Sequence, residues 1–345
     1  MLINNKMIIF KCFEGIPFEF ESFLIQKYDS YITTCRYIEI YYPSYHINYI
    51  LVYNDNHLIE LFIFGNKGKT CTSFNSLVNI DQHIVKEFTN IIFDKFPTIK
   101  TIKIAASYKS YNLNKSFLIS KDNDFILKLP STIDTYYSEL GSNTRKHTKY
   151  YKIRLLKDYP TVKYITKFGI EIDEIVIDKI IQLSYDRMKS KGLIPGKNHS
   201  DTTNFYKYSQ HYGCVTYIEI DGVIIAGSIS YILNKRIFIY MIAHDNNFSK
   251  YNPGQLCIIY LIQISIEKQL SSFHFLWGEN EYKIRLLAKP HSLFTYIIYR
   301  TSSFDFIFNK VKAMLKRTLN RLRLSKYSMP LRTVIKYFRR TYLQK

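Results

Sequence analysis

The chain has 345 residues, a hydrophobic content of 47% and a formal net charge of +20. This length and composition predict a globular protein with room for two domains of ordinary size. No apolar run approaches the roughly 18 residues that a membrane-spanning helix requires. The first residues also lack the pattern of an export signal, so we expect a cytoplasmic protein.

The first half of the chain predicts a hairpin, a strand, a helix and a further strand. Two apolar segments flank Asn54-Asp55-Asn56, a composition typical of hairpin turns. The helix has apolar residues at helical spacing and ends before Pro97. In chain order the predicted segments are residues 49–53, 58–64, 70–74, 81–95 and 101–105.

Two helices are predicted between the halves. The first, at residues 134–157, is strongly basic, and the second spans residues 173–190. Residues 192–196 contain two glycines and a proline, which indicates a loop that could lie over a site.

The second half repeats the plan of the first. Asp221-Gly222 is a strong hairpin signal between two apolar segments, and a strand, a helix and a strand follow. The predicted segments are residues 215–220, 223–232, 236–243, 255–268 and 273–277. The recurrence predicts duplicated α/β (α+β) domains, each with a mixed sheet.

The C-terminal tail carries over half of the net charge. Residues 301–345 contain twelve Lys or Arg and one acid, a net charge of +11, and residues 304–324 have an apolar stripe at helical spacing. This basic amphipathic helix is expected to pack on the second domain, lie on an anionic membrane through residues 304–340, or bind RNA.

Five scattered cysteines and nine dispersed histidines form no recognisable ligand motif. An odd cysteine count without paired spacing favours a reducing compartment over a disulfide framework or structural zinc. We therefore expect no metal.

A strand, a Pro-Gly turn and a helix at residues 237–268 favour an anion-binding site. Main-chain N–H groups at Asn252-Pro253-Gly254 and the positive end of the helix point at one spot. An ordinary turn is the alternative. The strand that follows delivers Glu279, Glu281, Tyr282 and Lys283, all able to move protons or bind anions.

Three segments resemble the GCN5-related N-acetyltransferase (GNAT) superfamily. They are Leu129-Pro130 with the basic helix through Arg145, the hairpin around Asp221-Gly222, and the region from Asn252 to Tyr282-Lys283. The pattern is most similar to the CelD-like acyltransferases of polysaccharide and cell-envelope biosynthesis. It is distantly similar to Fem-type peptidyltransferases, which take the acyl group from aminoacyl-tRNA.

The resemblance implies tandem GNAT-like domains that bind acetyl-CoA or another acyl-CoA. The implied units are a degenerate N-terminal domain at residues 1–130, a linker helix at 131–159, an acyltransferase domain at 160–300 and an extension at 301–345. The pantetheine arm would lie along Met241, Ile242 and Ala243, and the pyrophosphate on the amides of Asn252, Gly254 and Gln255.

The candidate catalytic groups follow from the chemistry of acyl transfer to an amine. Glu279 or Glu281 is the candidate base, Tyr282 the candidate acid for the thiolate, and His274 a further titrating base. Lys283 and Arg145 are candidates for binding an anionic acceptor or phosphate. The alternatives are acids that complement a helix dipole, a structural histidine and a solvated basic face.

Three functions compete on this sequence. The first is acyl-CoA-dependent transfer to an amine of a small or sugar-linked envelope precursor, with a peripheral position at the inner membrane face as an option. The second is Fem-like transfer from aminoacyl-tRNA, which would require nucleic-acid binding. The third is a non-catalytic scaffold, because Tyr251, Leu256 and His274 depart from the family pattern.

Overall fold

The computed structural model describes the backbone of residues 2–3 and 6–301 and the side chains of residues 8–301. The predicted tail helix therefore lies outside the described residues. None of the helices in these ranges is both long and apolar enough to cross a membrane.

The described residues form one large, mostly antiparallel sheet of thirteen strands in the order β1-β2-β3-β4-β5-β6-β13-β7-β12-β11-β10-β9-β8. The strands are β1 Leu2–Ile3, β2 Lys6–Glu14, β3 His46–Asn54, β4 His57–Lys67, β5 Thr70–Ser73, β6 Thr101–Ser107, β7 Ser116–Lys128, β8 Lys163–Phe168, β9 Gly213–Ile220, β10 Val223–Leu233, β11 Arg236–His244, β12 Ser272–His274 and β13 Lys289–Tyr299.

The predicted repeat is confirmed by the sheet. In the first half the hairpin β3–β4 leads to β5, which pairs in parallel with β6. In the second half the hairpin β9–β10 leads to β11, which pairs in parallel with β12. One helix connects the two parallel strands in each half, as parallel pairing requires.

Strand β13 lies between β6 and β7, in the part of the sheet built by the first half of the chain. Strand β7 then pairs with β12 through its last residues. The two halves therefore share one continuous ladder, and the predicted boundary at residue 130 stays a prediction.

Nine α-helices occur in the described residues, and they cover both faces of the sheet. They are α1 Glu21–Tyr28, α2 Cys35–Tyr41, α3 Gln82–Lys95, α4 Ile133–Glu139, α5 Ser142–Asp158, α6 Glu174–Ser190, α7 Thr202–Tyr212, α8 Pro253–Glu267 and α9 Glu281–Arg285. Helices α6 and α7 pack with Phe238 of β11 on one face, and α4 and α8 pack with Ile237 and Ile239 on the other.

Aromatic side chains fill the junction between the halves. Tyr31, from the first half, stacks on Tyr231 at 5.3 Å between ring centroids. The Tyr208 hydroxyl of α7 donates to the Tyr31 carbonyl at 2.7 Å and lies 2.9 Å from Thr34 Oγ1. Burial of several large rings beside paired polar groups gives the halves a fixed contact.

Two predicted elements differ from the structure. The basic helix predicted at residues 134–157 is two helices, because Leu140 adopts an extended conformation and buries its side chain beneath α8. The strand predicted at residues 273–277 ends at His274, because Leu276 and Gly278 have φ angles of 54° and 92°. Positive φ angles are incompatible with an extended strand.

Gly227 of β10 sets the distance between α6 and the sheet. A Cβ atom at this position would lie 2.5 Å from Ile180 Cγ1. We expect Gly227→Ala to lower the free energy of unfolding by about 1–3 kcal/mol through overpacking. Gly196, which has no atom within 4 Å of a built Cβ, provides the control, and Gly196→Ala should stay within about 0.5 kcal/mol. Urea unfolding of both variants measures the difference, and equal values would contradict the packing argument.

Candidate active site

The central feature of the site is a cleft between β11 and β12. The two strands pair over three residues, from Arg236↔Ser272 to Phe238↔His274, and then separate. Beyond that point a cavity of about 490 Å³ opens between them. Its walls include Met241 and Ile242 of β11, Leu276 and Trp277 after β12, and Met188 of α6.

A β-bulge places one main-chain group of β11 at this cavity. In the ladder with β10, Ile229 pairs with Met241 and Ser230 with Ile239, so Tyr240 is the extra residue. A bulged residue is left out of the ladder, and β12 has already ended on the other side. Tyr240 also lines the cavity, which makes its N–H a candidate donor to a ligand carbonyl oxygen.

Lys283 holds the end of β12 in place. Its buried ammonium donates to the carbonyls of Phe275, Leu276 and Trp277 at 3.1, 3.0 and 2.6 Å. Burial lowers its pKa to about 8, and the carboxylate of Asp124 opposes this shift. The three ammonium protons have three acceptors, so the side chain predicted to bind an acceptor instead fixes the wall of the cavity.

A buried carboxylate lies next to the point where the strands separate. Asp124 of β7, which is 0% exposed, accepts from the Leu276 N–H at 3.0 Å and the Tyr108 hydroxyl at 2.7 Å. His274 Nδ1 lies 2.7 Å from the Asp124 carboxylate. These donors surround the Asp124 carboxyl group, which orients the His274 ring.

The other nitrogen of His274 faces a second cavity. His274 Nε2 lies 3.1 Å from Ser272 Oγ, and both side chains line a cavity of about 410 Å³ between the halves of the chain. Lys27 and Arg236 also line it, paired with Glu60 at 3.2 Å and Asp29 at 2.8 Å. Asp124 thus links a wall residue of the first cavity, Leu276, to a wall residue of the second, His274.

The predicted anion-binding site at the start of α8 has fewer free main-chain N–H donors than the sequence suggests. Residues Asn246–Tyr251 form a 3-10 helix, and the Asn252 N–H donates to the Ser249 carbonyl. The Gln255 N–H donates to the Asn252 carbonyl, and Pro253 has no N–H. The Gly254 N–H has no hydrogen-bond acceptor among the described residues, which leaves it as the donor at this helix start.

His244 packs directly against Gly254. A Cβ at residue 254 would lie 3.0 Å from His244 Nδ1. Burial lowers the pKa of His244 to about 4, the cations Arg187 and Lys191 lower it further, and Asp245 opposes them. The imidazole is therefore neutral at pH 7, in a positive environment beside the helix start.

The remaining predicted residues lie in different settings. Tyr282 is partly buried against Phe275; burial raises its pKa, and Arg187 opposes the shift. Glu279 is exposed and accepts from Asn123 Nδ2 at 3.2 Å. Glu281 is 91% exposed beside Arg285, so it lies in solvent at the start of α9.

Arg145 ties two helices together. Its Nη1 donates to the carbonyls of Tyr137 and Ser138 at 3.1 and 2.8 Å, at the end of α4. Arg145 thus satisfies carbonyls that α4 leaves free at its C-terminus. The distances place this side chain in a structural role between α4 and α5.

Four contributors were not found from the sequence: Asp124, Tyr108, Arg187 and the bulge at Tyr240. Asp124 lies in a polar stretch, residues 121–124, that looks like a solvated strand end. Its contacts with Tyr108, His274 and Leu276, all outside that stretch, surround it. No group of three or more His, Cys, Asp or Glu side chains in the described ranges is arranged to hold a metal ion.

The sequence profile of the acetyltransferase (GNAT) domain matches residues 209–284, which include β9 to β12 and most of α9. The chain contains a GNAT-fold acyltransferase domain. Its matched segment contains the cleft, the bulge, the start of α8 and Lys283. No curated protein matches the chain in sequence.

Solved structures are similar to this chain over most of its length. The crystal structure of FemX has a TM-score of 0.60 and 9% identity, over 85% of this chain and 97% of that chain. A tandem GNAT protein from the clavulanic acid biosynthesis pathway has a TM-score of 0.50 and 8% identity, over 86% and 100%. L-PGS from Bacillus licheniformis has a TM-score of 0.50 and 12% identity, over 73% and 85%. At these identities the likeness establishes the tandem GNAT-like fold alone.

Loss of the Lys283 ammonium should destabilise the GNAT domain. We expect Lys283→Met to lower the free energy of unfolding by about 1–3 kcal/mol, because three carbonyls lose their donor. Lys289→Met, at an exposed lysine of β13, serves as the control and should change stability by less than about 0.5 kcal/mol. Chemical denaturation compares them, and an unchanged midpoint for Lys283→Met would contradict the role assigned to this lysine.

The pKa of His244 predicts an acid-sensitive domain. Its folded pKa of about 4 lies below the ordinary 6.5, so the unfolded chain binds more protons between these values. The neutral ring contributes its full stabilisation above pH 6.5, and this contribution is lost as the pH falls towards 4. Thermal unfolding from pH 7 to 4 should show a smaller decline for His244→Asn than for wild type. His147→Asn, at an exposed histidine, should follow wild type; a His244→Asn curve parallel to both would refute the assignment.

Proposed function

We propose that the protein transfers an acyl group from a coenzyme A thioester to an amine of a sugar-linked or cell-envelope precursor. The observation that carries this proposal is that the buried Asp124 contacts one wall residue of each of two cavities, Leu276 and His274. One cavity has the bulge of β11 in its wall and the other has cationic walls. This arrangement suits a donor and an acceptor bound on the two sides of the Asp124–His274 pair.

The donor would lie in the cleft between β11 and β12. Met241 and Ile242 would contact the pantetheine arm, with Ala243 continuing the strand. The Tyr240 N–H would donate to the thioester oxygen, where negative charge develops as the amine attacks. The Gly254 N–H and the cations Arg187 and Lys191 would face the diphosphate.

His274 would act as the base. It is the last paired residue of β12, and its Nε2 faces the second cavity beside Ser272. As the acceptor nitrogen bonds to the carbonyl carbon, its proton would pass to Nε2 while Asp124 stabilises the imidazolium. The C–S bond then breaks, and Tyr282 would protonate the thiolate. The exposure of Glu279 and Glu281 makes them weaker candidates for the base.

The acceptor would be anionic. Lys27 and Arg236 contribute positive charge to the wall of the second cavity, although each is paired with an acid. A phosphate or carboxylate on the acceptor would complement these cations. The CelD-like relationship, the pathway of polysaccharide biosynthesis and the cytoplasmic location belong to this same proposal.

Transfer from aminoacyl-tRNA is the second candidate. The similarity to FemX over most of both chains favours it, as does the charge of +20. Binding to tRNA that weakens steeply with salt, together with no stabilisation by acetyl-CoA, would select this candidate.

Substitution of His274 tests the proposed chemistry. Acetyl-CoA at millimolar concentration should raise the melting temperature of wild type and of His274→Gln alike. Thiol release across a panel of amino-sugar phosphates should fall about 10²–10⁴-fold in His274→Gln, because general-base assistance is lost. His291→Gln, at an exposed histidine of β13, is the control and should keep the wild-type rate. Absence of any thermal shift in wild type, or an unchanged rate in His274→Gln, would count against the proposal.

A further inference from the structure

Helix α5 has two apolar faces, and only one of them is covered. Leu155 is fully buried and Thr148 nearly so, on the side that packs on α8. On another side Tyr150, Ile153 and Leu156 are 56%, 55% and 53% exposed. These three side chains lie three residues apart, so they form one stripe along the helix.

Lysines flank this exposed stripe. Lys146, Lys149, Lys152 and Lys157 are all exposed. The one acid in α5 is Asp158 at its end, which accepts a hydrogen bond from the Tyr251 hydroxyl at 2.6 Å. The stripe of Tyr150, Ile153 and Leu156 is therefore surrounded by positive charge.

We propose that this face of α5 lies on an anionic lipid surface. Long lysine side chains beside an apolar stripe can reach lipid headgroups while the stripe is buried in a membrane interface. The apolar stripe would enter the boundary between headgroups and acyl chains, and the lysines would contact lipid phosphates. Tyrosine, with one apolar and one polar end, suits the interfacial position.

Lipid fits the stripe better than nucleic acid does. A nucleic-acid surface uses cations and stacking rings, which Lys149 and Tyr150 would supply. The aliphatic side chains of Ile153 and Leu156 would gain nothing from a phosphate backbone, and exposing them to water is unfavourable. The charge also restricts the lipid to an anionic one, since each lysine near such a surface contributes roughly fivefold to partitioning.

Docking of α5 would hold the acyltransfer site near the membrane. The Asp158–Tyr251 bond and the Arg154 guanidinium, 5.4 Å from the Tyr251 ring centroid, fix α5 to the segment that precedes α8. That segment is also bonded to the end of α6 through Asn246 Nδ2 and Ser190 Oγ at 2.9 Å. The proposal itself does not require the acyltransferase activity.

Vesicle sedimentation with the full chain tests this docking. Vesicles of phosphatidylcholine with 30% phosphatidylglycerol are compared with pure phosphatidylcholine at low salt. We expect wild type to bind the anionic vesicles at least tenfold more tightly, and the triple variant Tyr150→Ser, Ile153→Ser, Leu156→Ser to lose tenfold or more. Lys149→Gln should cost about fivefold on the anionic vesicles and nothing on the neutral ones.

The matched control uses exposed apolar residues among acids. Ile170 and Ile175 are 86% and 82% exposed, beside Glu171 and Glu174. The double variant Ile170→Ser, Ile175→Ser should bind vesicles like wild type. Thermal unfolding checks that all variants keep the fold, which the exposure of their positions favours.

Three outcomes would overturn the proposal. The first is wild-type vesicle binding by the triple variant, which would assign any attachment to another surface such as residues 304–340. The second is equal binding to neutral and anionic vesicles. The third is binding to tRNA without binding to either vesicle, which would assign the lysines to nucleic acid.

Discussion

The hydrogen bonds from one buried ammonium to three consecutive carbonyls hold this site together. Lys283 keeps residues 275–277 out of strand conformation, and the chain then turns away at Leu276 and Gly278. Without that turn β12 could continue beside β11 and close the cleft. A cation buried in this way is costly unless every proton is paired, and here each proton has a carbonyl acceptor. The cavity therefore exists because a polar cluster interrupts the sheet.

As Lys283 holds the end of β12, Asp124 holds the junction between the two halves of the chain. Its carboxylate accepts from a main-chain amide at one cavity and lies against the His274 ring at the other. The strand that carries it, β7, is the last strand in sequence of the first half of the chain. A change in how β7 meets β12 would therefore alter both cavities together, which couples the positions of the groups proposed to handle the donor and the acceptor.

The repeated secondary structure could be predicted from the sequence, and much of the site could not. Local sequence signals predict the hairpins at Asn54-Asp55-Asn56 and Asp221-Gly222. They also predict helices with a clear apolar period, such as α3. The sequence carries no comparable local signal for the first 45 residues, β7 and β13, because their packing partners lie far away in sequence. Tyr282 and Lys283 were singled out from the residue pattern, but the contacts of the lysine depend on where three carbonyls point. Asp124 looked solvated because burial by a distant strand leaves no local mark. The charge on α5 was visible, whereas its uncovered apolar face required the packing of α8.

The placement of β13 constrains how the molecule is made. Residues 289–299 are nearly the last of the described chain, yet they fill the gap between β6 and β7 in the first repeat. During synthesis β6 and β7 each have an unpaired edge until almost three hundred residues have left the ribosome. Contacts of such sequence separation form slowly, and open strand edges invite pairing with other chains. The two repeats are thus one cooperative unit in assembly, and neither can be excised as an independent module without exposing the ladder that the last strand covers.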